Sequence, residues 1–284
     1  MAEILALSRG TLRRLLMRPR FWISLLLAFG CVFAAFYHVP VYLSEHGYRV
    51  QAAEPFLILL PSRSAQILLM ISFLLLVGDV PFLAPGLEMT ALRSTRRKWL
   101  AGQLLAALEA AALWLLFLLA CTLFVFYRGY ISFQNEWSLF LKGVARSSLL
   151  LQDSVGLGLI GEIRMELIAG STPYARLGWM LLFQLLLFWA LTLWSLALNL
   201  WTRRSYGCLL TVSFWALRRF VQAAETIFQK DLSPLSPMDL VDLGKARLTP
   251  ARTVYIVLFF LIQICVLWIL SAVKLKRADL SSSG

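Results

Sequence analysis

The most constraining feature of this chain is its series of long apolar runs, which are separated by short blocks of charged residues. A helix needs about 20 consecutive apolar residues to cross the hydrocarbon core of a bilayer, and apolar residues make up 60% of this chain. Because backbone polar groups inside lipid must be satisfied within the protein, helices are the favoured spanning elements. We therefore predict an all-α integral membrane protein with six transmembrane helices. The predicted spans are residues 21–42, 64–83, 100–127, 177–201, 208–221 and 253–273.

Residues 1–20 are predicted to form a separate element before the first span. Apolar side chains recur there at helical spacing, and arginines lie towards the other side of the same helix. The apolar residues are Ile4, Leu5, Leu12, Leu15 and Leu16, and the arginines are Arg9, Arg13, Arg14 and Arg18. This pattern is typical of an amphipathic interfacial helix, which we expect to lie flat on the membrane until Pro19 ends it. Residues 21–284 are predicted to form one transmembrane domain.

The placement of basic residues predicts the orientation of the chain. Arg and Lys outnumber acidic residues at both termini and in the short loops after the second and fourth spans. We therefore expect both termini on the cytoplasmic side of a bacterial-type plasma membrane. The segments 128–176 and 222–252 mix both charge signs and are expected outside, with short external helices. The net charge of +12 lies at the ends of apolar runs, where it suits anionic lipid headgroups, so we expect no nucleic-acid partner.

Motifs that would indicate catalysis or a cofactor are weak in this chain. Gly156, Gly158 and Gly161 form a G-x-G-x-x-G pattern, but a dinucleotide site also needs a βαβ frame, which the sequence does not indicate. His38 and His46 lack a third ligand at a suitable spacing, and the four cysteines lie apart within apolar runs. We therefore predict no catalytic, cofactor or metal site.

Two acidic residues, Asp79 and Glu109, lie in apolar surroundings. Glu109 follows Trp99 by ten residues, which places it about 15 Å along the third span and near the middle of the bilayer. A carboxylate at that depth normally faces protein or water. Glu109 is therefore expected either to pack among the alanines of its span or to line a substrate path. Asp79 precedes Pro81 at the inner end of the second span, where it is expected either to pair with an arginine or to act in the mechanism.

Three stretches of the chain carry a family resemblance. The basic helix Thr11–Trp22 leads into the first span, an Asp-x-Pro-Phe step at Asp79–Phe82 ends the second, and the basic stretch Leu92–Gln103 enters the third. In this order they resemble the membrane subunit of an ABC-2 type ATP-binding-cassette exporter.

The resemblance implies a six-helix half-transporter that pairs with a second membrane subunit, identical or different, and with cytoplasmic ABC ATPase subunits. Residues 85–98 would then form the coupling segment, in which Arg93, Arg96, Arg97 and Lys98 would contact the ATPase, and the N-terminal helix would brace this segment. The same basic loop also fits a simple topology signal. Because the chain has no G-x-x-x-x-G-K-[ST] phosphate loop, ATP hydrolysis would reside in a partner subunit, and this chain would not itself be an enzyme.

Two functions therefore remain as hypotheses. The first is the permease subunit of an ATP-driven exporter. Its spans are rich in Leu and aromatic residues and hold few charges, which favours an amphiphilic substrate such as a hydrophobic peptide, a lipid or a drug. The alternative is a non-transporting membrane scaffold or sensor subunit, which would have the same topology but no dependence on an ATPase.

Overall fold

The protein is almost entirely helical over the part of the chain that the computed structural model describes. That part comprises residues 1–78, 80, 95–127, 130–146, 160, 163, 165–202, 206–229, 232–243 and 249–277. Four helical stretches in it are long and apolar enough to cross a membrane, which confirms the predicted helical class and is compatible with a multi-pass membrane protein. These stretches are Pro19–His46, Arg96–Val125, Pro173–Thr202 and Pro250–Leu275.

The described helices divide into long bundle helices and short helices at one end of the bundle. In chain order they are α1 (Ala2–Leu16), α2 (Pro19–Phe36), α3 (Val39–His46), α4 (Glu54–Leu59), α5 (Arg63–Val77), α6 (Arg96–Val125), α7 (Leu139–Arg146), α8 (Pro173–Thr202), α9 (Gly207–Phe228), α10 (Pro237–Leu240) and α11 (Pro250–Arg277). Single 3₁₀ turns occur at Met165–Leu167 and Ser233–Leu235.

Two of the six predicted spans are not among the four long apolar helices. The second predicted span corresponds to α5, whose apolar stretch Ser64–Val77 is shorter than the other four; the rest of that predicted span, apart from Gly78 and Val80, lies outside the described residues. The fifth corresponds to α9, a 22-residue helix that carries Arg218 and Arg219 among its apolar residues. Helix α5 therefore differs from the four long apolar helices in its length, and α9 differs from them in its charge.

The centre of the bundle lies where α5, α6 and α8 meet. Phe73, Trp114 and Phe188, one from each helix, pack with ring centroids 4.6 to 5.4 Å apart, a spacing at which aromatic pairs attract each other beyond their area of burial. In the most apolar part of α8, 67% of the residues are buried, against 28% for α11. Hence α8 forms the core of the bundle, and α11 has a largely exposed apolar surface.

Helix α2 packs closely against α5 through a reciprocal pair of serines. The Ser24 hydroxyl donates to the Ser72 carbonyl oxygen and the Ser72 hydroxyl donates to the Ser24 carbonyl oxygen, both at 2.7 Å. Small hydroxyl residues let two helices approach closely and replace lost backbone solvation with hydrogen bonds between helices. This pair fixes the register of α2 against α5.

A two-stranded parallel ladder lies at the end of the bundle where α2 finishes and α5 begins. Strand β1 (Val50–Gln51) pairs with β2 (Ile131–Ser132), with Val50 opposite Ile131. The sequence analysis did not predict this ladder, because strands of two residues are too short to show a period. It departs from the all-α expectation only locally, and it ties the segment after α3 to the segment after α6. Within the predicted external segment 128–176, α7 is the described α-helix before α8 begins.

Candidate functional site

Helix α1 packs lengthwise along the first half of α6. Ile4 and Leu7 lie beside Gly102, and Leu15 lies near Ala110, so the two helices run in the same direction. A Cβ atom added at Gly102 would lie 2.9 Å from the Leu7 Cβ, which is closer than side chains tolerate. Glycine at this position therefore permits the close approach of the two helices. The sequence predicted α1 as a helix on the membrane surface; the structure shows that it packs on α6.

Three polar contacts join α1 to α6. Lys98 Nζ lies 2.6 Å from Glu3 Oε2, and Gln103 donates to Thr11 Oγ1 at 3.1 Å. The Ser8 hydroxyl donates to Glu109 Oε2 at 2.7 Å. Each contact holds a different point along the interface, so the orientation of α1 on α6 is fixed by geometry as well as by apolar burial.

The face that α1 buries differs in part from the one predicted. Its buried residues are Ser8, Thr11 and Leu15, whereas Leu5 and Leu16, assigned to the apolar side, are 40% and 38% exposed. Polar hydroxyls replace leucines on the packed face because their partners on α6 are themselves polar. The arginines of this element, Arg9, Arg13 and Arg14, are exposed, and Arg18 is half-buried.

The basic start of α6 is attached to the far end of the chain. Arg96 Nη1 donates to the Leu275 carbonyl oxygen at 2.8 Å, so a positive charge meets the last turn of α11, where a helix carries partial negative charge. Arg97 next to it is exposed. The predicted coupling residue Arg93 lies outside the described residues, as does Asp79. The structure therefore places Arg96, Arg97 and Lys98 together at the junction of α1, α6 and α11.

Glu109 lies on the face of α6 that receives α1. It is half-buried, and the neighbouring Ala106, Ala107 and Ala110 are buried. The Ser8 hydrogen bond provides a partner for a carboxylate that would be costly to leave alone in apolar surroundings. Its described contact is thus one of helix packing.

A second polar junction lies at the end of α5 and was not predicted. Asn199 donates to the carbonyl oxygens of Gly78 at 2.8 Å and Val80 at 2.6 Å, and its own oxygen accepts from the Tyr206 backbone N–H at 2.9 Å. The Ser195 hydroxyl lies 3.4 Å from the Val77 carbonyl oxygen. Because Pro81 has no N–H to offer, carbonyls at the end of α5 need partners from elsewhere, and α8 supplies them. A polar amide near the end of an apolar span was the available signal.

Helix α9 begins in tight contact with the same junction. A Cβ at Gly207 would lie 2.6 Å from the Gly78 Cα and would also collide with the Ser195 hydroxyl. Only glycine allows the backbone of α9 to approach α5 this closely. The ends of α5, α8 and the start of α9 therefore form one close-packed corner.

At the opposite end of the bundle, a buried carboxylate organises the short helices. Glu54 is completely buried and accepts from the Ser138 N–H and hydroxyl, both at 2.6 Å, and from the Gln51 N–H at 3.1 Å. Burial raises the pKa of Glu54 to about 7, although these hydrogen bonds and nearby Lys142 favour the charged form. This carboxyl group joins the β1 region to α7.

The same end holds a buried ionic cluster on α9. Arg218 Nε lies 3.2 Å from Asp239 Oδ1, and Arg218 Nη2 lies 3.6 Å from Asp242 Oδ2; the arginine also donates to the side-chain oxygen of Gln66 on α5. In the sequence, Arg218 and Arg219 stand near the end of the predicted fifth span, 208–221, with no acidic residue inside that span. In the structure, residues 236–243, every one of them buried, bring two carboxylates back to Arg218.

Arg176 holds the other side of residues 236–243, which we call the returning segment. Its guanidinium donates to the Leu243 carbonyl oxygen at 2.6 Å and to the Glu166 carbonyl oxygen at 3.0 Å. The sequence predicted short external helices within 222–252, a segment that mixes both charge signs. In the structure, residues 222–228 continue α9. Residues 236–243 are buried, and there Arg218 binds the acidic side chains and Arg176 binds the backbone.

Residues that could perform metal or nucleotide chemistry are not assembled in the described part of the chain. No group of three or more His, Cys, Asp and Glu side chains is close enough there to hold a metal ion, and the glycine triplet at 156–161 lies outside it. His46 instead contacts the Tyr42 carbonyl oxygen at 3.0 Å. Comparisons with models of known protein families, with curated proteins and with solved structures give no significant match.

Proposed function

We propose that this chain is the permease subunit of an ATP-driven exporter, in which a cytoplasmic ATPase acts on the basic start of α6. The observation that carries the proposal is the double attachment of that start. Arg96 is bonded to the end of α11 and Lys98 is paired with Glu3 of α1, while Arg97 stays exposed. Three helices thus meet beside an exposed positive charge.

This junction suits the transmission of force. A 30-residue helix such as α6 is about 45 Å long at 1.5 Å per residue and behaves as a rod, so a displacement at Arg96 moves its whole length. The Ser8 to Glu109 hydrogen bond makes α1 follow α6, and the Arg96 bond makes α11 follow it as well. A partner that pushes on residues 85–98 would therefore rock α1, α6 and α11 together, as alternating access requires.

The proposed topology has six spans, with α5 and α9 as the second and fifth and with both termini in the cytoplasm of a bacterial-type cell. Support for α9 as a span comes from Arg218, whose charge is neutralised inside the protein by Asp239 and Asp242, so that it need not face lipid. Support for α5 comes from its serine pairing with α2. The exposed apolar surface of α11 suits lipid or a second membrane subunit.

The substrate we propose is amphiphilic. The helices that would enclose a path are lined by Leu and aromatic residues, and the buried charges that the structure describes engage one another or backbone groups. A small ion would need polar groups along its path. A hydrophobic peptide, a lipid or a drug would not.

Affinity purification of the tagged protein from its native membranes tests the coupling role. We expect a soluble ATPase to co-purify, and the double substitution Arg93→Glu with Arg97→Glu to remove it, because both changes oppose the charge of the surface it contacts. Arg219→Glu is the matched control, since Arg219 is an exposed arginine on α9 outside the junction. Arg96 is left intact because its hydrogen bond to α11 makes its loss structural.

The outcomes separate the two functions. Loss of the ATPase in the double variant, with retention in Arg219→Glu, supports the coupling role. An ATPase that stays bound to the double variant contradicts that role, and no ATPase in any preparation favours the scaffold or sensor instead. Proteolytic mapping adds an independent check, because cleavage of residues 93–98 from outside the cell would exclude the proposed orientation.

A further inference from the structure

An apolar cleft opens at the elbow between α1 and α2. It has a volume of about 210 Å³ and lies between these two helices and α5 and α6. All of its lining residues are apolar: Leu12, Leu15, Leu16, Phe21, Leu25, Leu76, Ala110, Leu113, Trp114 and Phe117. A cavity of roughly 150 Å³ with apolar walls already binds benzene, so this cleft suits a section of a hydrocarbon chain.

The elbow beside the cleft is strongly basic. Arg13 and Arg14 stand between the lining residues Leu12 and Leu15 in the sequence, and both are exposed. Neither side chain makes a hydrogen bond or ion pair with a described residue. Glu3 is the one acidic residue in the first 44 positions, and it already pairs with Lys98. Arg13 and Arg14 therefore carry a positive charge that no described acidic side chain neutralises, and such a charge attracts anions.

The position of the cleft along α6 indicates what kind of anion fits. Ala110 and Trp114 line the cleft and lie in the middle of α6, a helix long and apolar enough to cross a membrane. Exposed arginines near this level are costly in hydrocarbon and draw headgroups towards themselves. An apolar slot next to two exposed arginines matches one molecule with a hydrocarbon chain and a negative headgroup.

We propose that the α1–α2 elbow is a binding site for an anionic phospholipid, with one acyl chain in the cleft and the headgroup phosphate at Arg13 and Arg14. This site does not depend on the exporter function, because it rests on the cleft, the charges and the apolar length of α6. Such a lipid would fill the space between α1 and the bundle and so hold α1 against α6. It would also make the position of α1 sensitive to membrane composition.

Trp114 provides a direct probe, because it lines the cleft and brominated acyl chains quench tryptophan only at contact distance. The full-length protein is placed in nanodiscs that contain brominated phosphatidylglycerol or brominated phosphatidylcholine. Since the chain has ten tryptophans, the Trp114 component is taken as the difference between the natural chain and Trp114→Phe. We expect phosphatidylglycerol to quench this component at a roughly tenfold lower mole fraction than phosphatidylcholine, because two arginines attract its headgroup.

Two variants test the charge. Arg13→Gln with Arg14→Gln is expected to abolish the difference between the two lipids, whereas Arg219→Gln, which removes an exposed arginine far from the elbow, is expected to preserve it. Retention of phosphatidylglycerol by the delipidated protein, counted by native mass spectrometry, gives the same comparison without the Trp114 variant. Equal quenching by both lipids, or quenching that spares Trp114, would overturn the proposal.

Discussion

The two ends of the bundle are both rich in polar contacts, but these contacts differ in their exposure. At the junction of α1, α6 and α11, the Glu3 and Lys98 side chains are each 47% exposed. At the opposite end, Arg218 and Asp239 are 4% and 1% exposed. An ion pair in water is weak and easily exchanged, whereas a buried pair cannot be broken without leaving a charge in a medium of low dielectric constant.

This difference suggests a division of roles. At the first end, the exposed Glu3–Lys98 pair can be exchanged for contacts with a partner at little cost. The end with Arg218, Glu54 and Arg176 holds its short helices in one arrangement. In the proposed exporter, the first end would receive the ATPase and the second would close the path between transport events.

The largest loss of stability is expected on substitution of Arg218. Its replacement by Met leaves two buried carboxylates without their cation, which costs about 3–5 kcal/mol for a buried pair of this kind. We expect a large drop in the thermal unfolding midpoint of the purified protein in detergent, measured by tryptophan fluorescence. The substitution should act on the folded core, since both aspartates lie on the returning segment 236–243.

Arg219→Met is the control for this prediction, because Arg219 is the exposed neighbour of Arg218, and its free energy of unfolding should change by no more than about 0.5 kcal/mol. Adding Asp239→Asn and Asp242→Asn to Arg218→Met should recover part of the loss. If Arg218→Met and Arg219→Met unfold at the same temperature, the buried cluster does not stabilise this end and the comparison fails.

An intermediate effect on the stability of the folded protein is expected at Glu54, and this effect depends on pH. Its pKa is about 7 in the folded protein and 4.5 as a free side chain, so between these values the folded state holds a proton that the unfolded state has released. Stability should therefore fall as pH rises from 4.5 to 7 and then level off, by up to roughly 3 kcal/mol at 1.36 kcal/mol per pKa unit. Unfolding midpoints measured at pH 5 and pH 8 give this difference.

The variant Glu54→Gln should show a smaller fall in stability between pH 5 and pH 8, since the amide has no proton to lose. Glu45→Gln, which changes an exposed glutamate on α3, should keep the pH dependence of the natural chain. A Glu54→Gln variant with an unchanged pH dependence would show that the proton is bound elsewhere.

The fold was predictable where apolar runs are long and uncharged. Such runs correctly predicted α2, α6, α8 and α11, because a long apolar segment in lipid satisfies its backbone hydrogen bonds by forming a helix. Helix α9 was less certain, since the partners of Arg218 lie more than 20 residues further along the chain and no local pattern shows them. The β1–β2 ladder was missed for the same reason, because its two strands are 80 residues apart.

For the candidate site at the start of α6, the sequence predicted which charged residues cluster but not the groups they contact. The sequence identified Arg96, Arg97 and Lys98 as a group, but their separate partners, the Leu275 carbonyl and Glu3, depend on how α1 and α11 fold back. The apolar stripe of α1 matches its buried face only in part: Leu15 is buried and Leu5 and Leu16 are exposed. Ser8 and Thr11 are buried because they match polar residues of α6, which a pattern within α1 does not reveal. Asn199 was overlooked, although a polar amide near the end of an apolar span was a usable signal.

The smallest effect is expected at the exposed pair of Glu3 and Lys98, and it is the sharpest test of the contrast between the two ends. A double-mutant cycle with Glu3→Gln and Lys98→Gln should give a coupling free energy of about 0.2–1 kcal/mol, and high salt should reduce it because both groups are exposed to solvent. The same cycle on Arg218 and Asp239 should give a larger value that salt barely changes, since ions do not reach a buried pair. Coupling at Glu3 and Lys98 that equals the buried pair and resists salt would mean that both ends are equally rigid. An ATPase could then move α6 only by breaking a strong contact, and the proposed site of coupling would have to lie elsewhere.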